Sequence, residues 1–386
     1  YALQLRIPLI RLHEGGGGAV AGGKRRDVAE APKAAAAPLR PAPVSGEPTR
    51  FGTVADCLGL VPVATAALGA VAGLPASRLV ASHFVVAARG AQVLIAGPRV
   101  AENATGKRAS KEELGGEAVH SNSSVIDNYV ESEEEAFLQI RTFLSFLPSN
   151  CEGLPPQTDC VDPIDRQEEE LLTIIPEDRG PYEMRRLIEL VVDRCTPEEA
   201  ATRSHEGHTV GGGAASSFFE MGTAGFGREM VTGLARLGGQ PVGIFANDPR
   251  HLGGAMTWQA SMKTRRFIEF CATFHLPIVT FVDQPGFMVG LEAERAGTMR
   301  FGTAVVLAAQ TAPVPWCSVQ VRKAYGVAAA AHYGPNAHVL LWPSAETGTL
   351  PVEAGVAVMY RRQLEAAPPG ERSRLQRRLV EEHSQS

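Results

Sequence analysis

The sequence predicts an α/β protein of two domains, and three observations support this prediction. Its 386 residues exceed what one ordinary core holds and suit two domains of about 150–200 residues each. In the second half, short β-rich runs alternate with helical patterns, an order typical of strands joined by crossover helices. Two segments of the first half recur in the second half in the same order, which indicates two copies of one fold.

The composition is that of a globular protein with a large interior. Hydrophobic residues make up 44% and charged residues 20% of the chain, values typical of packed domains. The predicted domains are residues 1–150 and 183–386, and the stretch 151–182, rich in Pro, Asp and Glu, is interpreted as the linker between them. Residues 19–50 are predicted to form a flexible loop or insertion, and the Gly-rich stretch 195–216 a surface excursion.

Net charge and cysteine content exclude several classes of function. The net charge is −5 and no basic face dominates, so nucleic-acid binding is not expected. The six cysteines lack CxxC spacing, which disfavours a zinc or disulfide framework and favours a reducing compartment, the cytoplasm or an organelle matrix. No apolar run of about 18 residues or more occurs, so no membrane span is predicted. The chain begins at Tyr1 without Met, and we expect the first domain to lack its N-terminal part.

The elements follow in order along the chain. Residues 1–14 have the pattern of a helix end followed by a strand. Residues 131–147 predict a helix whose acidic first turn opposes the positive end of the helix dipole. From Met184, apolar residues recur at i, i+3, i+4 and i+7, so an amphipathic helix opens the second half. Later strands are predicted at 242–245, 278–282 and 319–321, and later helices at 260–275 and 297–310.

The internal repeat rests on two matched segments in each half. In both halves, a proline precedes an apolar run that ends in an acidic residue. A second proline then follows, and a glycine stands eleven residues after it. The matched residues are Pro8 and Pro277, Glu14 and Asp283, Pro62 and Pro315, and Gly73 and Gly326. Chance similarity between Pro-flanked apolar runs is the alternative, and the repeated order of the segments favours a duplicated fold.

The turns at Gly73 and Gly326 have a pattern that can bind a negatively charged oxygen. A strand that ends in a Gly turn and then begins a helix presents backbone N–H groups without internal partners, at the positive end of the helix. Two such donors can hold a developing oxyanion, often the largest single contribution to catalysis. Residues 322–330 have this pattern, with alanines that permit close approach of a ligand. An ordinary strand-to-helix turn packed by alanines has the same pattern, so both interpretations stay open.

Longer motifs of the chain resemble a known family. They are similar to motifs of the carboxyltransferase (beta) subunits of biotin-dependent acyl-CoA carboxylases, which include propionyl-, acetyl- and methylcrotonyl-CoA carboxylases, and of the related decarboxylases. The resemblance extends over most of residues 51–363. The motifs are found at residues 104–120, 143–150, 181–184, 245–247, 281–287 and 322–326.

The resemblance implies an α/β fold of two crotonase-like domains (ClpP/crotonase, ββα superhelix), the first of them N-terminally truncated. It implies carboxyl transfer from carboxybiotin to the α-carbon of an acyl-CoA, without a metal, and with biotin's own nitrogen as the base. Biotin would be carried by a separate domain or subunit, so the implied partners are acyl-CoA, a biotin carboxylase and a biotin carboxyl carrier subunit. In the family the site forms between the first domain of one subunit and the second domain of another, so a homo-oligomer built on dimers is expected.

The resemblance also implies two pairs of backbone amides as oxyanion donors. One pair would stabilise the acyl-CoA enolate and the other the biotin ureido oxygen. By position, the pair in the first domain is Gly73 and Leu74, and the pair in the second domain is Val327 and Ala328. The residues implied to bind the cofactor beside the second turn are Tyr325, Gly326, Ala329 and Ala330.

Two departures from the family pattern bear on these pairs. The family usually has Ala-Gly-Gly-Ala where this chain has Ala72, Gly73, Leu74 and Pro75, and a proline has no N–H to donate. Val327 stands where a second glycine is usual; its backbone still donates, but its side chain needs room and disfavours positive φ. Two alternatives therefore stay open: a decarboxylase subunit that runs the transfer backwards, and a truncated, non-catalytic scaffold subunit.

Other patterns suggest different chemistry and are weaker. His205 and His208 have a spacing seen in metal-binding pairs, but neighbouring glycines disfavour a helix that aligns both rings, so no metal site is predicted. Residues 101–107 lack the first Gly and the final Ser or Thr of a phosphate loop, which argues against ATP binding.

A hydrolase triad and a CoA-phosphate site are two further interpretations. The triad residues would be Ser77, His83 and Asp56. Ser77, the candidate nucleophile, is not framed by the Gly-x-Ser-x-Gly turn that such a triad needs. A basic cluster of Lys107, Arg108 and Lys111 can meet CoA phosphates, although a solvated loop explains it as well.

Overall fold

Two compact units make up the part of the chain that the computed structural model describes. They are Tyr1–Leu154 and Pro155–Ser386. The predicted loop 19–50 and nearly all of the predicted excursion 195–216 lie outside the described residues. No helix in the described part is long and apolar enough to cross a membrane. The described residues are 1–16, 51–177, 180–195 and 216–384.

The first unit is built on parallel strands. Its strands are β1 (Leu9–His13), β2 (Val63–Ala67), β3 (Ala70–Ala72), β4 (Phe84–Ala88), β5 (Gln92–Leu94) and β6 (Asn128–Val130). β1, β2, β4 and β6 form one sheet in that order, and β3 pairs with β5. Every residue of β2 and β4 is buried, as expected for central strands of a parallel sheet.

The helices of the first unit connect and cover these strands. They are α1 (Ala2–Leu5), α2 (Gly52–Leu60), α3 (Leu74–Val80), α4 (Pro98–Thr105), α5 (Lys111–Gly115), α6 (Glu117–His120) and α7 (Glu133–Ser145). The predicted helix 131–147 is α7. Ser132 caps α7 by accepting a hydrogen bond from the Glu135 N–H, which satisfies one free donor of the first turn. Phe143 lies on the buried face of α7 and stacks on Phe84 of β4, with ring centres 5.1 Å apart.

The second unit contains one mixed sheet. Its strands are β7 (Phe219–Met221), β8 (Met230–Leu237), β9 (Gln240–Asn247), β10 (Ile278–Gln284), β11 (Trp316–Tyr325), β12 (His338–Leu341) and β13 (Glu346–Gly348). The order is β12-β11-β10-β9-β8-β7, and β13 pairs with the last residues of β11. Strands β9 to β12 run parallel, whereas β7 and β9 are antiparallel to β8.

Helices join the parallel strands of this sheet, so the predicted α/β class is confirmed. They are α8 (Met184–Val191), α9 (Trp258–Thr273), α10 (Leu291–Arg295), α11 (Thr298–Thr311), α12 (Gly326–Ala329), α13 (Val352–Met359), α14 (Arg361–Ala366) and α15 (Pro369–Ser384). The helices predicted at 260–275 and 297–310 correspond to α9 and α11. The helix predicted from Met184 is α8, which buries Met184, Leu187 and Ile188.

Strands β8 and β9 form a hairpin with a two-residue loop. Their loop is Gly238–Gly239, with φ of 58° and 78°. Two consecutive positive φ values belong to the type I′ turn, which matches the twist of the strands and favours glycine. Both loop N–H groups donate to the Asp193 carboxylate, at 2.8 and 2.7 Å.

The internal repeat is visible in the strand pairing. In the first unit the Leu9 N–H donates to the Pro62 carbonyl at 2.8 Å, and in the second unit the Ile278 N–H donates to the Pro315 carbonyl at 2.9 Å. β4 then lies beside β2 as β12 lies beside β11. The short pair β3–β5 corresponds to the pairing of β13 with the end of β11. The same strand order thus occurs in both units, as the sequence repeat predicts.

The segment interpreted as a linker, 151–182, is bound to the second unit over much of its length. The Thr158 N–H donates to the Gly239 carbonyl at 3.1 Å. The Arg166 guanidinium donates to the Leu190 and Val192 carbonyls at the end of α8, at 2.8 and 2.9 Å. From Pro155 onward, the segment therefore packs on the second unit and is not an open tether.

Candidate active site

Each unit places a glycine turn at the end of a strand. Gly73 follows β3 with φ 67° and precedes α3, and Gly326 follows β11 with φ 62° and begins α12. A positive φ is costly for any residue with a Cβ atom, which accounts for glycine at both positions. The two glycines therefore occupy equivalent places in the repeated strand order.

The turn at Gly326 leaves two backbone donors free. Neither the Val327 N–H nor the Ala328 N–H has a hydrogen-bond partner within the described ranges, as expected at the start of a helix. Ala328 is buried, whereas Val327 is 65% exposed, so its side chain has room. Positive φ falls on Gly326 and not on Val327. The valine in place of the usual glycine is therefore accommodated without backbone strain.

The turn at Gly73 offers different donors from those expected. The Gly73 N–H donates to the Leu94 carbonyl at 3.1 Å, so it is engaged beside the β3–β5 pair. The N–H groups of Leu74 and Ala76 have no partner in the part of the chain described here. Pro75 lies at the start of α3, where a missing N–H costs no helix bond. The free donors of this turn are thus Leu74 and Ala76, in place of the expected Gly73 and Leu74.

A buried ion pair precedes the second turn in the chain. Asp283 ends β10 and Arg322 lies in β11; their closest atoms are 2.9 Å apart, and their side chains are 0% and 5% exposed. The Tyr182 hydroxyl donates to Asp283 Oδ2 at 3.1 Å, and the Arg322 guanidinium stands 5.0 Å from the centre of the Tyr182 ring. Burial, together with the Asp283 charge, raises the pKa of Tyr182, so the phenol keeps its proton and donates.

These residues belong to motifs that carry the family resemblance, yet the sequence interpretation assigned them no role. Asp283 was matched only to Glu14, as the acid that ends a strand. The sequence showed only that Asp283 lies at the end of one strand and Arg322 in a later one. Nothing in local periodicity shows that two such residues meet, because their contact spans 39 positions.

His332 lies in the same region but is not available for proton transfer. Its Nδ1 is 2.8 Å from Thr280 Oγ1 and its Nε2 is 3.2 Å from Gln284 Oε1. Since an amide oxygen only accepts, Nε2 carries the proton and Nδ1 accepts from the hydroxyl. Burial lowers the pKa of His332 to about 3. The ring is therefore neutral at physiological pH, with both nitrogens engaged.

The residues implied to bind the cofactor gather around the second turn. The Tyr325 hydroxyl donates to Glu346 Oε2 at 2.6 Å, which ties the end of β11 to β13. Gly326 is exposed, Ala329 is buried and Ala330 is half-buried. The side chains that follow the two free N–H groups in the chain, those of Ala329 and Ala330, are thus small.

The other sequence patterns do not form sites in the described residues. The His83 ring accepts from the Val63 N–H at 3.0 Å through Nδ1, and its Nε2 lies 3.1 Å from the Leu58 carbonyl, so His83 cannot serve Ser77 as a base. No group of three or more potential metal ligands occurs within the described ranges. His205 and His208 lie outside them.

Of the predicted basic cluster, only Arg108 lines an open depression of the first unit. A cavity of about 750 Å³ there is lined by Arg99, Glu102, Arg108 and Glu113, among others. Arg108 Nε donates to Glu102 Oε1 at 2.7 Å, and the Arg108 side chain is 90% exposed. An acidic partner therefore offsets the charge of Arg108, which favours the interpretation as a solvated loop.

Sequence comparisons identify relatives that match most of this chain. Residues 45–385 match the family described as carboxyl transferase domain. The propionyl-CoA carboxylase carboxyltransferase subunit of Haloferax mediterranei is 34% identical over 345 residues, which is 88% of this chain and 62% of the relative. The methylmalonyl-CoA decarboxylase subunit alpha of Veillonella parvula is 30% identical over 310 residues, 79% of this chain and 57% of the relative. The chain thus spans about 60% of the length of these relatives.

Solved structures agree with this relationship. Transcarboxylase 12S, a hexamer solved with hydrolysed methylmalonyl-CoA, superposes with a TM-score of 0.78 and 26% identity, over 100% of this chain and 67% of that chain. A single-chain, multi-domain long-chain acyl-CoA carboxylase superposes with a TM-score of 0.76 and 25% identity, over 100% of this chain and 34% of that one. Sequence, strand order and paired glycine turns all point to one family, and the chain belongs to the carboxyl transferase domain family.

Proposed function

We propose that this chain performs the carboxyl-transfer step of a biotin-dependent acyl-CoA carboxylase, in which CO2 passes from carboxybiotin to the α-carbon of an acyl-CoA. The observation that carries the proposal is the pair of unpartnered backbone donors at Val327 and Ala328. Family membership supports it, since relatives that share this fold are named for propionyl-CoA carboxylation. The partners proposed with it are a biotin carboxylase, a biotin carboxyl carrier subunit and further copies of the chain.

The second turn fits the ureido carbonyl of biotin. That carbonyl is an uncharged acceptor that gains negative charge during transfer, and two N–H donors stabilise such charge best when they are held in place beforehand. Carboxybiotin, when bound, supplies the CO2, and its ureido nitrogen takes the α-proton of the acyl-CoA. The donors Leu74 and Ala76 of the first turn are assigned to the thioester oxygen of the acyl-CoA.

The side chains around the second turn hold positions and do not exchange protons. His332 is neutral with both ring nitrogens engaged. Tyr182 is kept protonated, and the Asp283 carboxylate is occupied by Arg322. Since these three groups are committed to partners, the arrangement fits a reaction in which a substrate nitrogen is the base.

Replacing Ala328 by proline tests the assignment of the second turn. Ala328→Pro removes one N–H donor, and Pro75 at the equivalent position of the first turn shows that such a turn accepts proline. Loss of one oxyanion donor lowers kcat by about 100- to 1000-fold. The measurement is transfer from carboxybiotin to acyl-CoA by the purified protein, with circular dichroism to check the fold.

A matched control is Met299→Pro. Met299 also stands two residues after a positive-φ glycine, Gly297, at the start of α11, and its side chain is 63% exposed. This variant should keep parental activity. A folded Ala328→Pro protein as active as the Met299→Pro protein would contradict the assignment. A folded parent chain without transfer activity would favour the scaffold alternative.

The second candidate function is decarboxylation, favoured by the relative from Veillonella parvula named as a decarboxylase subunit. Both functions use the same transfer, so the catalytic turn does not separate them. The partner that exchanges CO2 with biotin separates them. ATP-dependent turnover on addition of a biotin carboxylase and its carrier protein supports the carboxylase, and turnover with a biotin-linked ion pump alone supports the decarboxylase.

A further inference from the structure

The pairing of β10 with β11 is interrupted shortly before the second turn. The two strands run in register as far as Val282 opposite Gln320, but the next pair is Gln284 opposite Ala324. β10 therefore advances two residues where β11 advances four, and two extra residues bulge out of β11. Bulges bend a strand, and next to active sites they redirect the chain that follows.

Side chains satisfy the backbone groups that this bulge releases. The Val321 carbonyl accepts from Ser344 Oγ at 2.7 Å, and the Arg322 carbonyl accepts from Gln320 Nε2 at 3.2 Å. Buried backbone groups without partners are costly, so a bulge in a central strand needs such replacements. The bulge is thus a built feature with its own hydrogen bonds.

Asp283 supplies the third hydrogen-bond partner for a backbone group of the bulge. One carboxylate oxygen, Oδ1, accepts from the Lys323 N–H at 3.2 Å, and Arg322 Nε lies 3.1 Å from the other oxygen, Oδ2. Arg322 Nη1 also donates to the Gly180 carbonyl at 3.0 Å. Asp283 therefore binds both the backbone and the side chain of the bulge at once.

The first unit shows what the repeat looks like without this pair. Its strand is interrupted at the equivalent place, between β2 and β3, where Gly69 stands in the position of Arg322. Glu14, equivalent to Asp283, contacts Gly69 so closely that a Cβ there would lie 2.9 Å from Glu14 Cγ. An interruption of the strand is thus common to both units, but the ion pair is specific to the second.

We propose that Asp283 and Arg322 are positioning residues for the second turn, an inference that rests on the function proposed above. The ion pair holds the bulge, and the bulge sets the direction of Tyr325 and of the Val327 and Ala328 N–H groups that follow. Both side chains are buried and share hydrogen bonds with the backbone, so neither moves without moving the strand. A displacement of about 1 Å in such donors lowers the rate by about 100-fold.

The test compares three variants of the full chain. Asp283→Asn keeps an acceptor for the Lys323 N–H but removes the charge that pairs with Arg322. The double variant Asp283→Asn with Arg322→Met removes both charges, so that a buried, unpaired guanidinium does not unfold the protein. Asp162→Asn is the matched control, because Asp162 also accepts from one arginine side chain and one backbone N–H, Arg166 Nε at 2.9 Å and Arg194 N at 3.0 Å.

Two readouts are measured on each variant. The amide resonances of Val327 and Ala328, observed by NMR with selectively labelled valine and alanine, report the direction of the turn without any substrate. Steady-state kinetics report transfer. We expect Asp283→Asn and the double variant to shift both resonances and to lower kcat by about 100-fold while the KM for acyl-CoA changes less than about twofold. Asp162→Asn should shift neither resonance and keep its kcat.

A folded double variant with parental amide resonances would overturn the proposal, and so would an Asp162→Asn protein that loses as much kcat as the Asp283 variants. If the resonances move but the parent chain shows no transfer, the positioning role stands and the proposed function fails.

Discussion

The first glycine turn shows how a single hydrogen bond changes the role of a residue. Gly73 was expected to donate to an oxyanion, but its N–H is held by Leu94. That bond depends on the pairing of two three-residue strands, β3 and β5. Strands this short carry no detectable periodicity, so their register was not predictable. In the proposal, the Ala76 amide takes the place of Gly73 beside the expected donor Leu74.

His332 leads to a prediction about pH at the scale of one residue. Burial lowers its pKa to about 3 in the folded protein, whereas an unfolded histidine titrates near 6.5. Between these two pKa values, His332 binds a proton in the unfolded chain but not in the folded chain. The free energy of unfolding should therefore fall as the pH drops from about 6.5 towards 3, by up to about 1.4 kcal/mol per pH unit from this group.

A glutamine at this position isolates the effect. His332→Gln can make the same kinds of hydrogen bond without titrating, so its unfolding free energy should depend less steeply on pH. The measurement is urea unfolding of both proteins at pH 7, 6, 5 and 4. Equal slopes in the two proteins would show that His332 does not titrate on unfolding.

At the scale of elements, long segments were predicted well and short ones were missed. The predicted helix 131–147 is Glu133–Ser145, and the predicted strand 319–321 is the middle of Trp316–Tyr325. The pairs of prolines and glycines also located the repeat. The bulge in β11 and the strands β3 and β5 were not predicted, because they depend on contacts between distant residues and not on periodicity.

Helix α3 yields a prediction about proline. Pro75 lies where no helix bond is lost, and it restricts the unfolded chain, so Pro75→Ala should lower the free energy of unfolding by about 0.4–1 kcal/mol. Two residues later, the Ser77 N–H donates to the Gly73 carbonyl at 3.0 Å. Ser77→Pro removes this bond and should cost about 3 kcal/mol or more. Denaturant unfolding measures both, and equal losses would contradict the position assigned to Pro75.

At the scale of the whole molecule, we expect each site to combine the first unit of one chain with the second unit of another. Ala328→Pro should then inactivate only the second unit, and Leu74→Pro only the first. Neither variant alone should be active. When the two are mixed and allowed to exchange subunits, half of the dimers are mixed and each has one intact site, so about 25% of parental activity should return.

Mixing two samples of the same variant is the control and should restore nothing. Sedimentation at micromolar concentration checks that dimers or larger rings are present. Absence of recovery from a mixture that does form mixed dimers would show that each site lies within one chain.

The hairpin of β8 and β9 has a consequence for how the chain folds. Its turn brings Leu237 opposite Gln240, and local pairs of this kind form within about 1–10 μs. All strand pairs described in the first unit are parallel. Strand β1 must pair with β2 across a long intervening stretch of chain, because Leu9 pairs with Val63. Long-range parallel pairing is slow and leaves strand edges open. Because synthesis proceeds from the N-terminus, the first unit leaves the ribosome before the second. Its sheet closes late, and its open strand edges are exposed to aggregation while the second unit is still being made.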